Sequence, residues 1–290
     1  MDTTFTELDV PQLTDDLREH GYIADRGLAT ALLLAMKLGK PLLLEGEVGV
    51  GKTQLAKTLA QMLNRELIRL QCYEGIDMYH ALYEWDYARQ MLHIRALSQH
   101  GSGADDADLF SDRFLIERPL LKATRAGDQC VLLIDEIDRA DDEFEAFLLE
   151  LLGDFQVTIP EVGTVQSATP PIVILTSNRT RELHDALKRR CLYSWIGFPE
   201  EAREVEIVRT RAPQASTSLV TQVVAAVHRL RAMELEKLPG IAETIDWTES
   251  LNALGAATLD ESHALDTLGA VVKDRDDLEF ASRNIRDVVG

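Results

Sequence analysis

The strongest constraint on this chain is the segment 46–53, which reads GEVGVGKT and follows the short apolar run 41–45. It matches the phosphate-binding pattern G-x-x-x-x-G-K-[ST], set between a strand and the helix-forming stretch 54–60. The glycines let the backbone curl so that successive N–H groups point at one anion, and the helix dipole adds to this attraction. A glycine-rich turn without a ligand is the weaker alternative, because both flanks fit.

This pattern predicts a nucleoside triphosphate site. Lys52 is expected to place its charge on the β- and γ-phosphates, and the Thr53 hydroxyl is expected to ligate Mg²⁺. The residues predicted to contact the nucleotide are Gly46, Glu47, Val48, Gly49, Val50, Gly51, Lys52, Thr53 and Gln54.

Two carboxylates follow a second apolar run, at residues 131–134. Such a short run suits a strand buried on both faces of a parallel sheet, and the carboxyl ends of such strands are where open α/β sheets bind ligands. Asp135 is predicted to hold Mg²⁺, and Glu136 to orient and deprotonate the attacking water, which favours hydrolysis over a slow switch. For the neighbouring acids the simpler interpretation is an acidic helix start, and it applies to Asp138, Asp141, Asp142 and Glu143.

A third apolar run, at residues 172–175, ends in the small polar residues Thr176, Ser177 and Asn178. Alone, Asn178 would be an ordinary residue at the end of a strand. Its position after the other two runs predicts that it senses the γ-phosphate or the attacking water.

GEVGVGKT, LLIDEID and ILTSN, in this order, resemble the motifs of AAA+ ATPases, and further details resemble the MoxR branch. Residues 155–164 with Pro170 and Pro171 are similar to a hairpin that this clade inserts before sensor 1, the strand that ILTSN matches here. Residues 82–95 are similar to its insert in the second helix. The phrases GYIADRGLATALLLAMKLGKPLLLEGE and ALKRRCLYSWIGFP most resemble the CoxD-type subgroup.

The resemblance implies an α/β fold, a P-loop NTPase (AAA+) parallel-sheet core with a C-terminal all-α lid. We expect the core at residues 1–199, with inserts at about 82–95 and 155–171, and the lid at 200–290. The alternation of strand and helix patterns independently predicts a parallel sheet. The predicted strands are 42–44, 67–71, 131–134, 172–175 and 192–196; residues 25–38 and 200–289 are predicted helical, and 98–106 have loop composition.

In AAA+ proteins, an arginine near the end of the helix after sensor 1 reaches the nucleotide of the neighbouring subunit. The matching residues are Arg190, which fits the pattern of arginine before an apolar residue, and Arg189 as the second choice. A purely structural alternative is that these basic residues complement a helix C-terminus. The chain departs from the family near residues 244–248, where the expected sensor 2 arginine is absent.

Aromatic residues are concentrated between residues 73 and 87. Tyr83, Trp85 and Tyr87 alternate, so in a strand they would share one face. An aromatic face packed on the core and a pore loop that grips a client are equally compatible with this pattern.

The net charge of −19 disfavours a nucleic-acid surface, which needs clustered basic residues. The polar N-terminus carries no secretion signal, and the longest apolar stretch, near residues 29–36, is too short to span a membrane. Cys72, Cys130 and Cys191 form no C-x-x-C pair, which fits free thiols in the cytoplasm, and we expect no bound zinc.

The resemblance implies an ATP-hydrolysing chaperone that forms a homo-oligomeric ring, expected to be a hexamer. It also implies a von Willebrand A domain partner and a metalloenzyme client, a molybdenum hydroxylase of the carbon monoxide dehydrogenase type. The alternatives are a chelatase-like metal-insertion motor and a nucleotide-gated assembly adaptor with little hydrolysis. A nucleic-acid motor is a third alternative, opposed by the acidic charge.

Overall fold

The computed structural model describes residues 5, 7–99, 109–160 and 162–290 of the 290-residue chain. These residues form two compact units. The first, the sheet unit, comprises residues 1–13, 26–45 and 59–194, and the second, the helical unit, comprises 14–25, 46–58 and 195–290. The division at residue 199, inferred from the sequence, stays a prediction.

A five-stranded sheet provides the frame of the fold. The strands in the described residues are β1 (Leu42–Gly46), β2 (Glu66–Gln71), β3 (Tyr83–Trp85), β4 (Leu115–Glu117), β5 (Cys130–Asp135), β6 (Gln156–Ile159), β7 (Gly163–Gln166), β8 (Ile172–Ser177) and β9 (Leu192–Ile196). The order in the large sheet is β2-β5-β8-β1-β9, and β2–β5, β5–β8 and β8–β1 pair in parallel. All residues of β1, β5 and β8 are buried, which explains their continuous apolar runs. Each of the five strands predicted from the sequence is confirmed.

Helices precede and separate these strands. They are α1 (Val10–Glu19), α2 (Arg26–Leu38), α3 (Lys52–Met62), α4 (Met78–Ala81), α5 (Tyr87–Gln99), α6 (Pro119–Ala126), α7 (Asp142–Asp154) and α8 (Asp185–Arg190). The helix predicted at 25–38 is α2, and Leu28, Leu32 and Met36 are buried on one face of it. Ala31, three positions after Leu28 on the same helix, is half-buried.

Two small antiparallel sheets lie apart from the five-stranded sheet. One is formed by β3 and β4, and the other by the hairpin β6–β7, in which Val157 and Ile159 are buried while Gln156 and Thr158 are exposed. Of the predicted loop at 98–106, residues 100–106 lie outside the described residues, and Ser98 and Gln99 end α5.

The aromatic cluster is divided between the core and the surface. Tyr83 and Trp85 are buried in the main hydrophobic core, which confirms the packing interpretation for these two. The expectation that Tyr87 shares their face is wrong, because the strand ends at Trp85 and Tyr87 is the exposed first residue of α5. The Asp86 carboxylate accepts a hydrogen bond from the Arg89 N–H at 2.9 Å and so caps the helix at this point.

The chain after β9 is helical, as predicted. It forms α9 (Glu201–Arg211), α10 (Thr217–Ala232), α11 (Ile241–Ala253), α12 (Glu261–Val271), α13 (Arg275–Arg283) and α14 (Ile285–Val289). The apolar stripe of α10, which includes Val223 and Val227, is buried together with Trp247, whose indole N–H donates to Thr267 Oγ1 at 2.7 Å. Among the described residues, no helix has the length and apolar character needed to cross a membrane.

Candidate nucleotide site

The phosphate loop, residues 46–53, follows β1 directly in the chain. Gly46 passes so close to Ile196 that a Cβ at this position would lie 1.9 Å from the Ile196 carbonyl oxygen, so only glycine fits. The Lys52 side chain is buried, and its ammonium donates to the carbonyls of Gly46 at 2.8 Å and Glu47 at 2.6 Å. Thr53 and Gln54 continue in the first turn of α3. The curled backbone and the lysine that bends back onto it fit a phosphate cradle.

A cavity of about 190 Å³ adjoins this loop within the helical unit. Its lining is largely apolar and includes Tyr22, Ile23, Gly49, Val50, Gly51, Gln54, Ile196, Pro199, Ile207, Ile241 and Ile245. Arg203 shapes one wall, because its guanidinium donates to the Ile23 carbonyl at 2.8 Å and to the Asp25 carboxylate at 2.9 Å. An apolar pocket with few polar groups suits a planar base. Tyr22, Ile23 and Arg203 could not be selected from the sequence, since no motif marks them.

At the carboxyl end of β5, the Asp135 carboxylate is buried and held on both oxygens. Its Oδ1 accepts from the Thr176 hydroxyl at 2.5 Å, and its Oδ2 accepts from Arg69 Nε at 3.0 Å and Nη2 at 2.6 Å. These contacts fix the position of the Asp135 carboxylate at this edge of the sheet.

Glu136 follows Asp135 in a left-handed backbone conformation, with φ 55° and ψ 49°. A residue other than glycine in this region is strained, and such strain is found at functional sites. The Glu136 N–H donates to Thr176 Oγ1 at 2.9 Å, and the Glu136 carboxylate pairs with Arg139 Nε at 2.9 Å. Thr176 thus bridges the two predicted catalytic and metal-binding acids.

Asn178 lies just beyond β8 and is half-buried. In the described parts of the chain its side-chain amide has no hydrogen-bond partner, so it is available to a ligand. The preceding Ser177 is already engaged, because its hydroxyl donates to Glu45 at 3.2 Å and accepts from the Arg179 N–H at 3.0 Å.

Asp138 lies in the first turn of a short 3₁₀ helix, Ile137–Arg139, as expected of an acid at a helix start, but it also has a second role. Asp138 is buried, and its Oδ2 accepts from the N–H of Thr180 at 2.8 Å and from its hydroxyl at 2.7 Å, so it anchors the loop after β8. Asp141 does cap α7, accepting from the Phe144 N–H at 2.9 Å. Asp142 and Glu143 lie in the first turn of that helix.

The acidic edge of the sheet carries a concentrated negative charge. Burial is the main cause that raises the pKa of the Cys72 thiol to about 12, and the carboxylates of Asp135, Asp138 and Glu136 raise it further. Negative charge with carboxylate oxygens suits a divalent cation. The donor type of the Asp135 carboxylate therefore fits Mg²⁺.

The model of one protein family, the AAA domain of the dynein-related subfamily, matches residues 41–191, which is more than half of the chain. The chain belongs to this AAA family. The matched region contains the phosphate loop, Asp135, Glu136 and Asn178. The fold of the family implies nucleotide binding.

Two curated relatives resemble this AAA chain at low identity. An uncharacterised protein of Staphylococcus saprophyticus is 24% identical over 205 residues, covering 68% of this chain and 71% of the relative. The denitrification regulatory protein NirQ of Stutzerimonas stutzeri is 25% identical over 217 residues, covering 72% of this chain and 70% of the relative. Among solved structures, a mutant form of Thermotoga maritima RuvB aligns with a TM-score of 0.51 at 18% identity, covering 95% of this chain and 75% of that one. This likeness confirms the fold.

The two candidate arginines at the end of α8 differ in their surroundings. Arg190 Nη1 donates to the Leu149 carbonyl of α7, and its guanidinium occupies the space where a side chain on Gly153 would be. Arg189 is exposed and has no ion-pair or hydrogen-bond partner within the described ranges. Arg190 is thus bound to its own chain, whereas Arg189 is not.

Proposed function

We propose that this AAA protein hydrolyses ATP and uses the reaction to remodel a protein client. The observation that carries the proposal is the arrangement of Asp135, Glu136 and Thr176. A protein that only binds nucleotide needs the phosphate loop, whereas a carboxylate held in a strained backbone beside a second buried carboxylate suits activation of water.

Each residue has a separate part in this reaction. Lys52 and the N–H groups of the phosphate loop bind the phosphates, and Glu136 accepts the proton of the attacking water. Asn178 orients the water or the γ-phosphate through its available amide. Thr53 and Asp135 would hold Mg²⁺, which neutralises phosphate charge when bound.

We propose that a positive charge on the side of the γ-phosphate away from Lys52 comes from a neighbouring subunit. The subunits would form a homo-oligomeric ring, which is a hexamer by family resemblance. The sequence pattern favours Arg190 for this part. The contact of Arg190 with its own Leu149 carbonyl favours Arg189, whose exposed side chain is unengaged. We therefore propose Arg189 as the residue that extends across the interface and Arg190 as the residue that fixes α8.

The proposals for the client and for the partner protein rest on the family resemblance. The phrases shared with the CoxD-type MoxR subgroup support a client that is a molybdenum hydroxylase of the carbon monoxide dehydrogenase type, and a von Willebrand A domain partner, in the cytoplasm. One relative carries the name of a denitrification regulatory protein. That name supports a regulatory role for this chain as well.

Two variants test the proposed activity, with phosphate release and binding of a fluorescent ATP analogue as readouts. Lys52→Ala is expected to lose binding, because the loop loses its charge on the phosphates. Glu136→Gln is expected to bind ATP and to keep it unhydrolysed. Ordinary turnover by Glu136→Gln would contradict the proposal that Glu136 is the general base. ATP binding without turnover by the unaltered protein would favour the alternative function, a nucleotide-gated assembly adaptor.

A further inference from the structure

The first turn of α11 contacts the phosphate loop through backbone atoms. The Ile241 N–H donates to the Gly49 carbonyl at 3.0 Å. A Cβ on Gly240 would lie 2.8 Å from the Gly49 Cα and 2.8 Å from the Val48 carbonyl oxygen. Gly240 has φ −82° and ψ −176°, which any residue adopts, so the close approach alone requires glycine at this position.

A buried ion pair holds this turn in place. Arg231 Nε donates to the Pro239 carbonyl at 2.7 Å, while Nη1 and Nη2 donate to the two carboxylate oxygens of Glu204 at 2.6 and 2.8 Å. The Glu204 side chain is fully buried, and Thr244 Oγ1 donates to it at 2.7 Å. A buried pair with all its atoms engaged fixes geometry more than it adds stability, because desolvation offsets much of the attraction.

The contact at Gly49 determines the direction of the next N–H group. In a planar trans peptide the C=O and the following N–H point in opposite directions. Because the Gly49 carbonyl points to Ile241, the Val50 N–H points the other way, away from the first turn of α11. Gly49, at φ +76°, is also free to rotate when the contact is lost.

We propose that the first turn of α11 is a positioning element for the phosphate loop. The Ile241 N–H holds the peptide between Gly49 and Val50 with its N–H toward the phosphates, and Arg231 positions the turn through the Pro239 carbonyl. The inference rests on the proposed nucleotide site, but it requires binding only and not hydrolysis.

The variant Gly240→Ala tests the contact directly, because the added methyl group meets backbone atoms of the loop. The dissociation constants for ATP and ADP are measured by fluorescence titration of the full chain. We expect weaker binding of both by about tenfold, equivalent to about 1.4 kcal/mol. The matched control is Gly269→Ala in α12, where a Cβ would meet nothing within 4 Å, and its affinity should be unchanged.

A second pair of variants tests the role of Arg231. In Arg231→Lys the ammonium keeps the charge beside Glu204 but loses the planar guanidinium that bonds both carboxylate oxygens and the Pro239 carbonyl at once, so ATP affinity should fall. The matched control is Arg229→Lys on the same helix, because Arg229 also donates to backbone carbonyls, those of Val288 and Val289. Its affinity should stay the same even if its melting temperature falls.

Three results separate this inference from the proposed function. Equal ATP affinity for the unaltered protein and Gly240→Ala would overturn the inference and leave the ATPase intact. Equal losses of affinity in Arg231→Lys and Arg229→Lys would also overturn it, since general loosening of the helices would then explain both. ATP binding without phosphate release by the unaltered protein would contradict the proposed hydrolysis, while the loss of affinity in Gly240→Ala would still support the positioning role.

Discussion

At the scale of single residues, Thr176 links the two acids at the end of the sheet. Its hydroxyl donates to Asp135 and accepts from the backbone of Glu136, so one side chain fixes both groups. Thr176→Val keeps the shape and removes both hydrogen bonds. We expect ATP affinity to hold and turnover to fall by about ten- to a hundredfold, because the proposed base, Glu136, loses its position.

The control for this prediction is Thr124→Val. Thr124 is also buried in the sheet unit, but its hydroxyl donates only to the Leu120 carbonyl of its own helix. Phosphate release should be close to that of the unaltered protein. Equal losses of turnover in the two variants would show that Thr176 acts only through stability.

The cysteine thiols provide a second prediction at this scale. Burial raises the pKa of Cys130 to about 11 and of Cys191 to about 12, and with the nearby carboxylates it raises that of Cys72 to about 12. Because the thiolate is the reactive form, alkylation of the folded protein at pH 8 should be slower than for ordinary thiols, by roughly a few hundredfold at Cys130 and roughly a few thousandfold at Cys72 and Cys191. Mass spectrometry should find three adducts only after unfolding, and rapid labelling of the folded chain would contradict this.

The residues of the phosphate loop, Asp135, Glu136 and Asn178 could be selected from the sequence because each follows a short apolar run that predicts a buried strand. Arg69 and Thr176 could not, since their contacts with Asp135 depend on which strands are neighbours and in which register. Tyr22 and Ile23 were missed for the same reason. Their place beside the cavity follows from the fold and from no local pattern.

At the scale of elements, the position of α8 depends on a buried acid in α7. The Glu145 side chain is fully buried; one oxygen pairs with Arg181 and the other accepts from the His184 N–H at 2.9 Å. These contacts hold the segment that leads into α8 and its two arginines. Arg181→Met leaves a buried charge without its partner, and it should lower the free energy of unfolding by about 3 kcal/mol.

The control is Arg125→Met. The free energy of unfolding of both variants is measured by unfolding in urea. Arg125 is as exposed as Arg181, at 30% of its side chain, but its partners Asp112 and Glu117 are themselves 60% and 34% exposed. Exposed pairs contribute about 1 kcal/mol or less, so this variant should stay close to the unaltered protein. Similar losses in both variants would show that the burial of Glu145 does not decide the outcome.

Helix and strand patterns predicted the elements well where apolar periodicity was long, as in α2 and α10. They failed at Tyr87, where alternation continued past the end of β3. The decision there belonged to the Asp86 cap, a single hydrogen bond that starts α5. Local capping thus decided the boundary against an alternation that extended only three residues.

At the scale of the whole molecule, the net charge of −19 and the exposed Arg189 bear on which partners the chain can bind. The acidic balance opposes tracking of nucleic acid, so duplex DNA should not stimulate phosphate release; a stimulation of several-fold would favour the nucleic-acid motor. An unengaged arginine at the end of α8 suits a site on a second copy of the chain.

The central claim is that each active site is completed by a neighbour, and mixing two inactive subunits tests it most directly. The double variant Arg189→Ala/Arg190→Ala keeps its own Glu136, and Glu136→Gln keeps its arginines. Each alone should lose most of its phosphate release, on the order of 10³-fold for the arginines. The mixture should recover part of the rate, and the rate of the unaltered protein per subunit should rise with protein concentration. Full activity of the double variant, or a constant rate from a monomer, would contradict the account.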